Sequence, residues 1–479
     1  MTNTSFRRRR IVPVKTGFGP KPMGAAGVIA ALCLGSALPA QAGDDGGSAY
    51  VVLGEQGAAV ARVVTAGPAC PVLTVDGKRR RMRLRAGPAT EPQRPTRSAP
   101  ALSKPSEFPV STCELVVGRG VHALRLAGRK LPAPKLRYDR IVVIGDTGCR
   151  VKASDNAYQA CNDPARYPFA KVAAAAAAWK PDLVVHVGDY LYRENPCPAD
   201  QPGCAGTVWG YGWDAWRADF FGPGAKLLAA APWVMVRGNH ENCARAGQGW
   251  WRFLEPRRLE AGRDCNDPAD DARGDADDPY AVPLGGRTQI AVLDLADTTN
   301  DAIPATSPLY AQFRDSYRKL DALTGQARDT IVALHHPLLG LRAEKDLTVK
   351  PAADGIVSVF EAQNPALLPK GVSAVLAGHV HVWEQISFSS PHPSQFVAGF
   401  SGTQEDIVPL PEHLAPGASP APGAVIDRFS SWVDGFGFMT LQRTGPRTWS
   451  VQVHDVDGKV RNRCRIVGRR SSCDLAQVR

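Results

Sequence analysis

The sequence predicts an α/β fold, with sheets enclosed by helices, preceded by a small all-β unit. Three observations predict it. Short apolar runs separated by turn residues fill the chain to about residue 136. From Arg140 strands alternate with helical segments, and five short motifs stand at the polar ends of apolar runs.

Residues 1–42 read as an export leader outside that fold. Arg7, Arg8, Arg9, Arg10, Lys15 and Lys21 make a basic segment, Gly24 to Ala40 is small and apolar, and Ala40-Gln41-Ala42 is an A-x-A cleavage pattern. The strictly apolar part is shorter than the ~20 residues of a membrane-spanning helix. Paired arginines before Ile11 and Val12 allow twin-arginine export, and the run of four fits general secretion equally well. Leu32, where a lipoprotein signal carries a small residue, argues against a lipid anchor on Cys33. The mature chain is expected in the periplasm or outside the cell, with no transmembrane span.

Residues 48–136 form the all-β unit. Its strands are expected at Tyr50 to Leu53, Ala59 to Val64, Cys70 to Val75, Cys113 to Val117 and His122 to Leu126, divided by turns such as Asp76-Gly77. The Pro- and Ser-containing residues 87–109 read as a long exposed loop inside it. Lys78, Arg79, Arg80, Arg81, Arg83 and Arg85 form one basic cluster, and the alternation around Met82 and Leu84 reads as the solvated face of a strand rather than a polyanion dock. Without the leader's six cations the net charge falls from +11 to +5, which gives no ground for nucleic-acid binding.

Residues 139–479 form the expected catalytic domain. Ile141-Val142-Val143-Ile144 and Leu183 to Val187 are buried-strand runs ending at Gly-Asp, with an alanine-rich helix from Pro168 to Lys180 between them. Further strands are expected at Trp233 to Val236, Ile290 to Leu293, Thr330 to Leu334 and Ala374 to Leu376, and helices at Trp213 to Phe220, Ser307 to Ala322 and Gly355 to Ala362. Residues 386–430, rich in Ser, Pro and Gly, hold the run Gly399-Phe400-Ser401-Gly402, expected to be flexible. Phe436 to Gln442, Trp449 to His454 and Arg465 to Val467 look like closing strands.

Ten cysteines remain after Cys33 leaves with the leader, an even count that argues for disulfides in an oxidising compartment. Many connectivities are possible. Neighbour-to-neighbour pairing is preferred: Cys70 with Cys113, Cys149 with Cys161, Cys197 with Cys204, Cys243 with Cys265, and Cys464 with Cys473.

The chemistry lies in Gly145-Asp146-Thr147-Gly148, Gly188-Asp189-Tyr190-Leu191-Tyr192, Gly238-Asn239-His240-Glu241, Val332-Ala333-Leu334-His335 and Gly378-His379-Val380-His381. They supply carboxylates, a phenol, an amide and imidazoles, the donors that two adjacent metal ions need. Asp146 and Asp189 follow glycines at strand ends, and a carboxylate shared by two cations holds them ~3.5–4 Å apart; Asp189 is assigned that bridge. His379 and His381, two apart in extended chain, face one side. Any one of these alone reads as a turn cap or a satisfied histidine. His122, His392, His413 and His454 keep that reading, and so does His186, with a supporting role open to it.

Taken together, Gly-Asp-x-Gly, Gly-Asp-x-x-Tyr, Gly-Asn-His-Glu, Val-x-x-His and Gly-His-x-His resemble the purple acid phosphatase branch of the calcineurin-like metallophosphoesterases, over about residues 139–455. The resemblance implies an αββα sandwich with two mixed sheets flanked by helices. Gly148 stands where most relatives carry histidine, and Tyr192 adds a phenolate, a hard donor suited to Fe(III). By the resemblance Asp146, Asp189, Tyr192 and His381 hold Fe(III), while Asp189, Asn239, His335 and His379 hold a divalent Zn, Fe or Mn ion. His240 is implied to orient the phosphate or protonate the leaving alkoxide, and His336 is the nearby candidate for a second such contact. Trp383 replaces the tyrosine usual after the last motif. The implied function is hydrolysis of a small phosphate monoester by metal-activated hydroxide. The alternatives are a phosphodiesterase or nucleotide pyrophosphohydrolase on the same scaffold and, more distantly, a non-catalytic metal- or phosphate-binding surface protein.

Overall fold

Short β-branched runs set the architecture, seen in a computed structural model that describes residues 47–478 except 354, 406, 407, 409 and 412. The leader lies outside the described residues. Two large sheets face each other. The first has eleven strands, whose centre is Gly437–Gly445, Arg140–Ile144, Leu183–His186 and Trp233–Met235; the second has seven, centred on Thr288–Val292, Asp329–Ala333, Val372–Ala377 and Ser394–Ala398. Arg140–Ile144, Leu183–His186 and Trp233–Met235 run parallel, as do the four central strands of the second sheet. Their runs are apolar on both faces because both faces are covered. Val143, Val185 and Val234 meet Ile331, Leu376 and Phe396 between the sheets. Helix Phe169–Ala178 covers the outside of the first, and helices Pro308–Thr324 and Gly355–Glu361 the outside of the second. This is the expected αββα sandwich.

The helices begin where local chemistry allows. Ser307 caps Pro308–Thr324 by accepting the Leu309 amide, and proline takes the first turn. Trp213–Trp216 is α-helical but continues as a π turn, Arg217–Phe221, where the sequence suggested one regular helix. All five preferred disulfides are present.

Several expectations need correction. The N-terminal region is all-β as expected, and Val72–Val75, Lys78–Arg81, Leu124–Leu126 and Arg129–Leu131 make a small sheet of their own, but Ser48–Leu53, Ala59–Thr65, Ser111–Val117 and Arg83–Ala86 do not: Ser48–Leu53 pairs in parallel with Trp233–Met235 and extends the first large sheet. Residues 87–109 are less a loop than a strap. They hold a ribbon, Ala89–Glu91 with Ser106–Phe108, bury Phe108, and are tied down by Arg97 N to Ala244 O (3.0 Å) and Asn195 Nδ2 to Leu102 O (3.1 Å). Arg85 is buried, donating to Glu114 and the Trp251 carbonyl, while Leu84 faces out. The stretch 386–430 contains strand Ser394–Ala398 and part of Ile426–Trp432. Phe400 and Ser401 are buried, so the Gly399 run is a packed floor and not a flexible one. Polarity without a charge pattern hid those strands, which the opposite sheet covers.

Candidate functional site

Parallel strands bring the motifs to one end of the sandwich, since each follows the carboxyl end of its strand. Three residues there adopt left-handed backbone without being glycine: Asp146 at φ +53°, Asp189 at +60° and His379 at +73°. Each such conformation costs roughly 1–3 kcal/mol. Hydrogen bonds hold them in place: Asp146 N to Gly188 O (3.0 Å), Asp189 N to Glu241 Oε2 (3.0 Å) and His379 N to Asp146 Oδ2 (3.1 Å). At Gly188, φ +101°, a Cβ would lie 2.4 Å from His335 Nδ1, so the close approach needs glycine.

The side chains converge on two foci. At the first, the Tyr192 hydroxyl lies 2.7 Å from Asp189 Oδ2, 3.1 Å from Asp146 Oδ1 and 2.9 Å from His381 Nε2. At the second, Asn239 Oδ1 lies 3.1 Å from His335 Nε2 and 3.0 Å from His379 Nδ1, and His335 Nε2 is 3.1 Å from Asp189 Oδ2. Asp189 belongs to both. The ring orientations are set from behind: His335 Nδ1 donates to Val187 O at 2.8 Å and His381 Nδ1 to Gln404 O at 2.9 Å, leaving each Nε2 turned to the cluster. All seven expected ligands are therefore brought together, and ligand atoms of Asp189, His335 and His379 lie within 4.8 Å of one another.

Electrostatics give the same picture. Burial pulls the His335 imidazole down, but Asp189 and then Asp146 outweigh it and hold it at about 9. Burial raises Asp146; at Asp189 burial is overcome by His335 and His240, which keep that carboxyl well below its usual range. Burial leaves His379 neutral, its pKa well below the usual value. The buried Asp189 carboxylate thus favours positive charge among these donors, which is what raises His335. Metal ions would fit the same place.

His240 packs its ring on Tyr192, centroids 3.8 Å apart, and its Nδ1 lies 2.8 Å from Glu194 Oε1. His336 is buried 4.2 Å, ring to ring, from His379, and burial followed by His335 lowers it to about 3; its Nδ1 has no partner among the described residues. His186 is not a core histidine alone: Nε2 meets Thr147 Oγ1 at 2.9 Å and Nδ1 accepts Gly188 N, linking the first two motifs.

Three residues escaped sequence reasoning or were only glimpsed. Glu241 accepts the amides of Asp189, Tyr190 and Leu191 and so holds the second motif, not a ligand position. Asp219, on the π turn, accepts the amides of Cys149, Tyr192 and Arg193 and pairs with the Arg193 guanidinium at 2.5 Å. Glu194 also accepts from the Tyr211 hydroxyl and faces Arg245 at 3.7 Å. Only proximity to a motif marked Glu194, and nothing local marked Asp219.

Two donor sets sharing one carboxylate, at the carboxyl ends of parallel strands in an αββα sandwich, define a metal-dependent phosphoric ester hydrolase. The model of the calcineurin-like phosphoesterase family matches residues 139–383, and the chain belongs to that family. No curated protein matches the sequence. Among solved structures, a purple acid phosphatase from yellow lupin (Lupinus luteus) seeds is similar at 14% identity and a TM-score of 0.50, over 90% of this chain and 74% of that one. A structure of PhoD is similar at 12% identity and a TM-score of 0.47, over 90% of this chain and 91% of that one. At 14% identity the likeness to the lupin enzyme extends to the fold alone. Among the described residues no helix is long and apolar enough to cross a membrane.

Proposed function

We propose that the protein is an exported phosphomonoesterase of the purple acid phosphatase type, with a centre of Fe(III) and a divalent Zn, Fe or Mn ion. The observation that carries this reading is the Tyr192 hydroxyl, buried and within 3.1 Å of Asp146, Asp189 and His381. A phenol there adds a hard donor, the chemistry Fe(III) favours. Asp146, Asp189, Tyr192 and His381 would hold the ferric ion, and Asp189, Asn239, His335 and His379 the divalent one. When bound, such a pair supplies Lewis acidity toward the phosphoryl oxygens and lowers the pKa of water.

The chain's own groups do the rest. Asp189 spans both foci. His240, steadied by Glu194 and by the face of Tyr192, turns Nε2 toward the cluster, 3.9 Å from Asp189 Oδ2, where it orients the phosphate or protonates the departing alkoxide. His336, beside His379, offers a second, uncharged contact to the phosphate. The five disulfides fit an oxidising compartment.

Purified protein is expected to contain iron and to be coloured by phenolate-to-ferric charge transfer, and Tyr192→Phe to bleach it without unfolding. A colourless protein with stoichiometric zinc or manganese and no iron would overturn the ferric assignment and leave hydrolysis standing. Asp189→Asn is expected to abolish turnover; unchanged activity sinks the catalytic reading. Faster turnover of diesters than of monoesters would favour a phosphodiesterase.

A further inference from the structure

The basic cluster is not absorbed by the site. The segments 77–90 and 115–138 carry twelve Lys and Arg and no Asp or Glu, so the remainder of residues 43–479, which sum to +5, carries −7. The two segments meet in a four-stranded antiparallel sheet, in the order Arg129–Leu131, Leu124–Leu126, Val72–Val75 and Lys78–Arg81. Its register puts Arg79 opposite Thr74, Thr74 opposite Arg125, and Arg125 opposite Lys130. Directly paired residues share a face, so these form one row, with Arg81 two residues along from Arg79. The other face carries Leu73, Leu124 and Leu131, which are buried in the core.

Arg79, Arg81, Arg125 and Lys130 are exposed, and among the described residues none of the four is in an ion pair; Arg125 reaches only the Gly128 carbonyl. Like charges directly opposite, as Arg125 and Lys130 are, cost stability. The fold therefore gains nothing from this row. At ~4.8 Å per strand it is ~14 Å long, a narrow track of fixed cations. Three of the four are guanidinium groups, which bind sulfate and phosphate oxygens in pairs. The face presents no aromatic side chain, and its one aliphatic residue, Val72, is half-buried, so it lacks the apolar anchors of a bilayer-docking surface.

Position decides what binding here would do. Lys130 and Leu131 share a cavity wall with Pro181, Asp182 and Pro232, which precede the parallel strands that end at Asp189 and Asn239. The cationic row thus lies toward the opposite end of those strands from the site.

We propose that this sheet face binds a linear acidic polysaccharide bearing sulfate or phosphate groups, holding the enzyme on an anionic matrix with its site turned away. The test measures binding of the full mature chain to heparin, and to vesicles of phosphatidylglycerol and phosphatidylcholine, across a salt series. The patch variant is Arg79→Gln, Arg81→Gln, Arg125→Gln and Lys130→Gln together. The charge-matched control is Arg217→Gln, Lys226→Gln, Arg318→Gln and Lys370→Gln. Wild type should bind heparin with a log–log salt slope of about −3, at ~0.7 per contact. The patch variant should lose at least tenfold in affinity, the control less than twofold, with turnover of a small phosphomonoester equal in all three. Equal losses in both variants would reduce the effect to net charge, and binding to vesicles but not heparin would make the partner a lipid surface; either result overturns the proposal.

Discussion

At the scale of single residues, the two positions that narrowed the sequence reading are one device. A Cβ on Gly148 would lie 2.7 Å from Tyr192 N, 2.8 Å from Asp219 Oδ2 and 2.9 Å from Tyr190 O. The backbone carrying the phenol fills the space that a side chain at 148 would need, and Asp219 ties that backbone to the first motif. Gly148→Ala must therefore push Tyr192 away. It should lower the melting temperature and cut turnover at least tenfold, which thermal unfolding and a phosphoester assay at matched metal content will check. Glu194 offers a different prediction, because it touches His240 and none of the seven expected ligands. Glu194→Gln should leave metal content unchanged and lower kcat ~10- to 100-fold, the range of a positioned proton-transfer group, with a smaller change in KM. A loss of metal instead would make Glu194 part of the ligand scaffold. Asp146, Asp189 and His379 were legible because each follows a glycine in a short motif, and His335 and His381 because each stands just past an apolar strand. Asp219 was not: its role depends on a π turn far away in the chain.

At the scale of elements, strand Trp383–Phe388 follows the last motif and carries Glu384, fully buried, accepting the Leu341 amide at 3.2 Å. Burial pushes its carboxyl up to about 8 from 4.5. Folding then takes up a proton between those values. The stability it contributes is complete below about pH 4.5 and is lost as pH rises through 8. Glu384→Gln, uncharged throughout, should match wild type near pH 4.5 and melt higher at pH 8, checked by thermal unfolding at both; equal melting curves at pH 8 would mean that the carboxyl ionises at no cost. The strap and the disulfides act at this scale too. Cys243–Cys265 closes the segment after the third motif, and its removal as Cys243→Ser with Cys265→Ser should cost ~3 kcal/mol by loop entropy, read as a lower midpoint in denaturant. The cysteine pairing was legible because neighbouring cysteines close short loops. The strap's ribbon was not, since Pro and Ser mark an irregular path without saying what it packs against.

At the scale of the whole molecule, the change in pattern near residue 139 is real but is not an edge of the sheet. Short strands with turns, then strands with helices, look like two units because periodicity reports local structure and says nothing of which strands pair. In the fold, Ser48–Leu53 lies beside Trp233–Met235, and Tyr50, Val52, Val60 and Val64 join Trp213, Phe221 and Phe253 in one core. Polar ties cross the same boundary: the Tyr50 hydroxyl and Arg62 Nη1 both donate to the Phe253 carbonyl, at 2.7 and 2.6 Å. Arg62 and Arg85 also flank Glu114, and removing one partner of a buried pair costs ~3–5 kcal/mol. A chain beginning at Asp139 would lose all of this at once. It would leave Trp233–Met235 as an open parallel edge and strip the apolar side chains around Phe253 of their cover. Expressed alone, residues 139–479 should aggregate or melt far below residues 43–479, although every expected metal ligand is kept. Supplying residues 43–138 as a separate polypeptide should restore solubility and phosphatase activity in part, as pairing along one strand edge allows. A fragment from Asp139 that folded with an unchanged melting temperature would show that the shared sheet contributes nothing and that the first ninety residues are an independent unit.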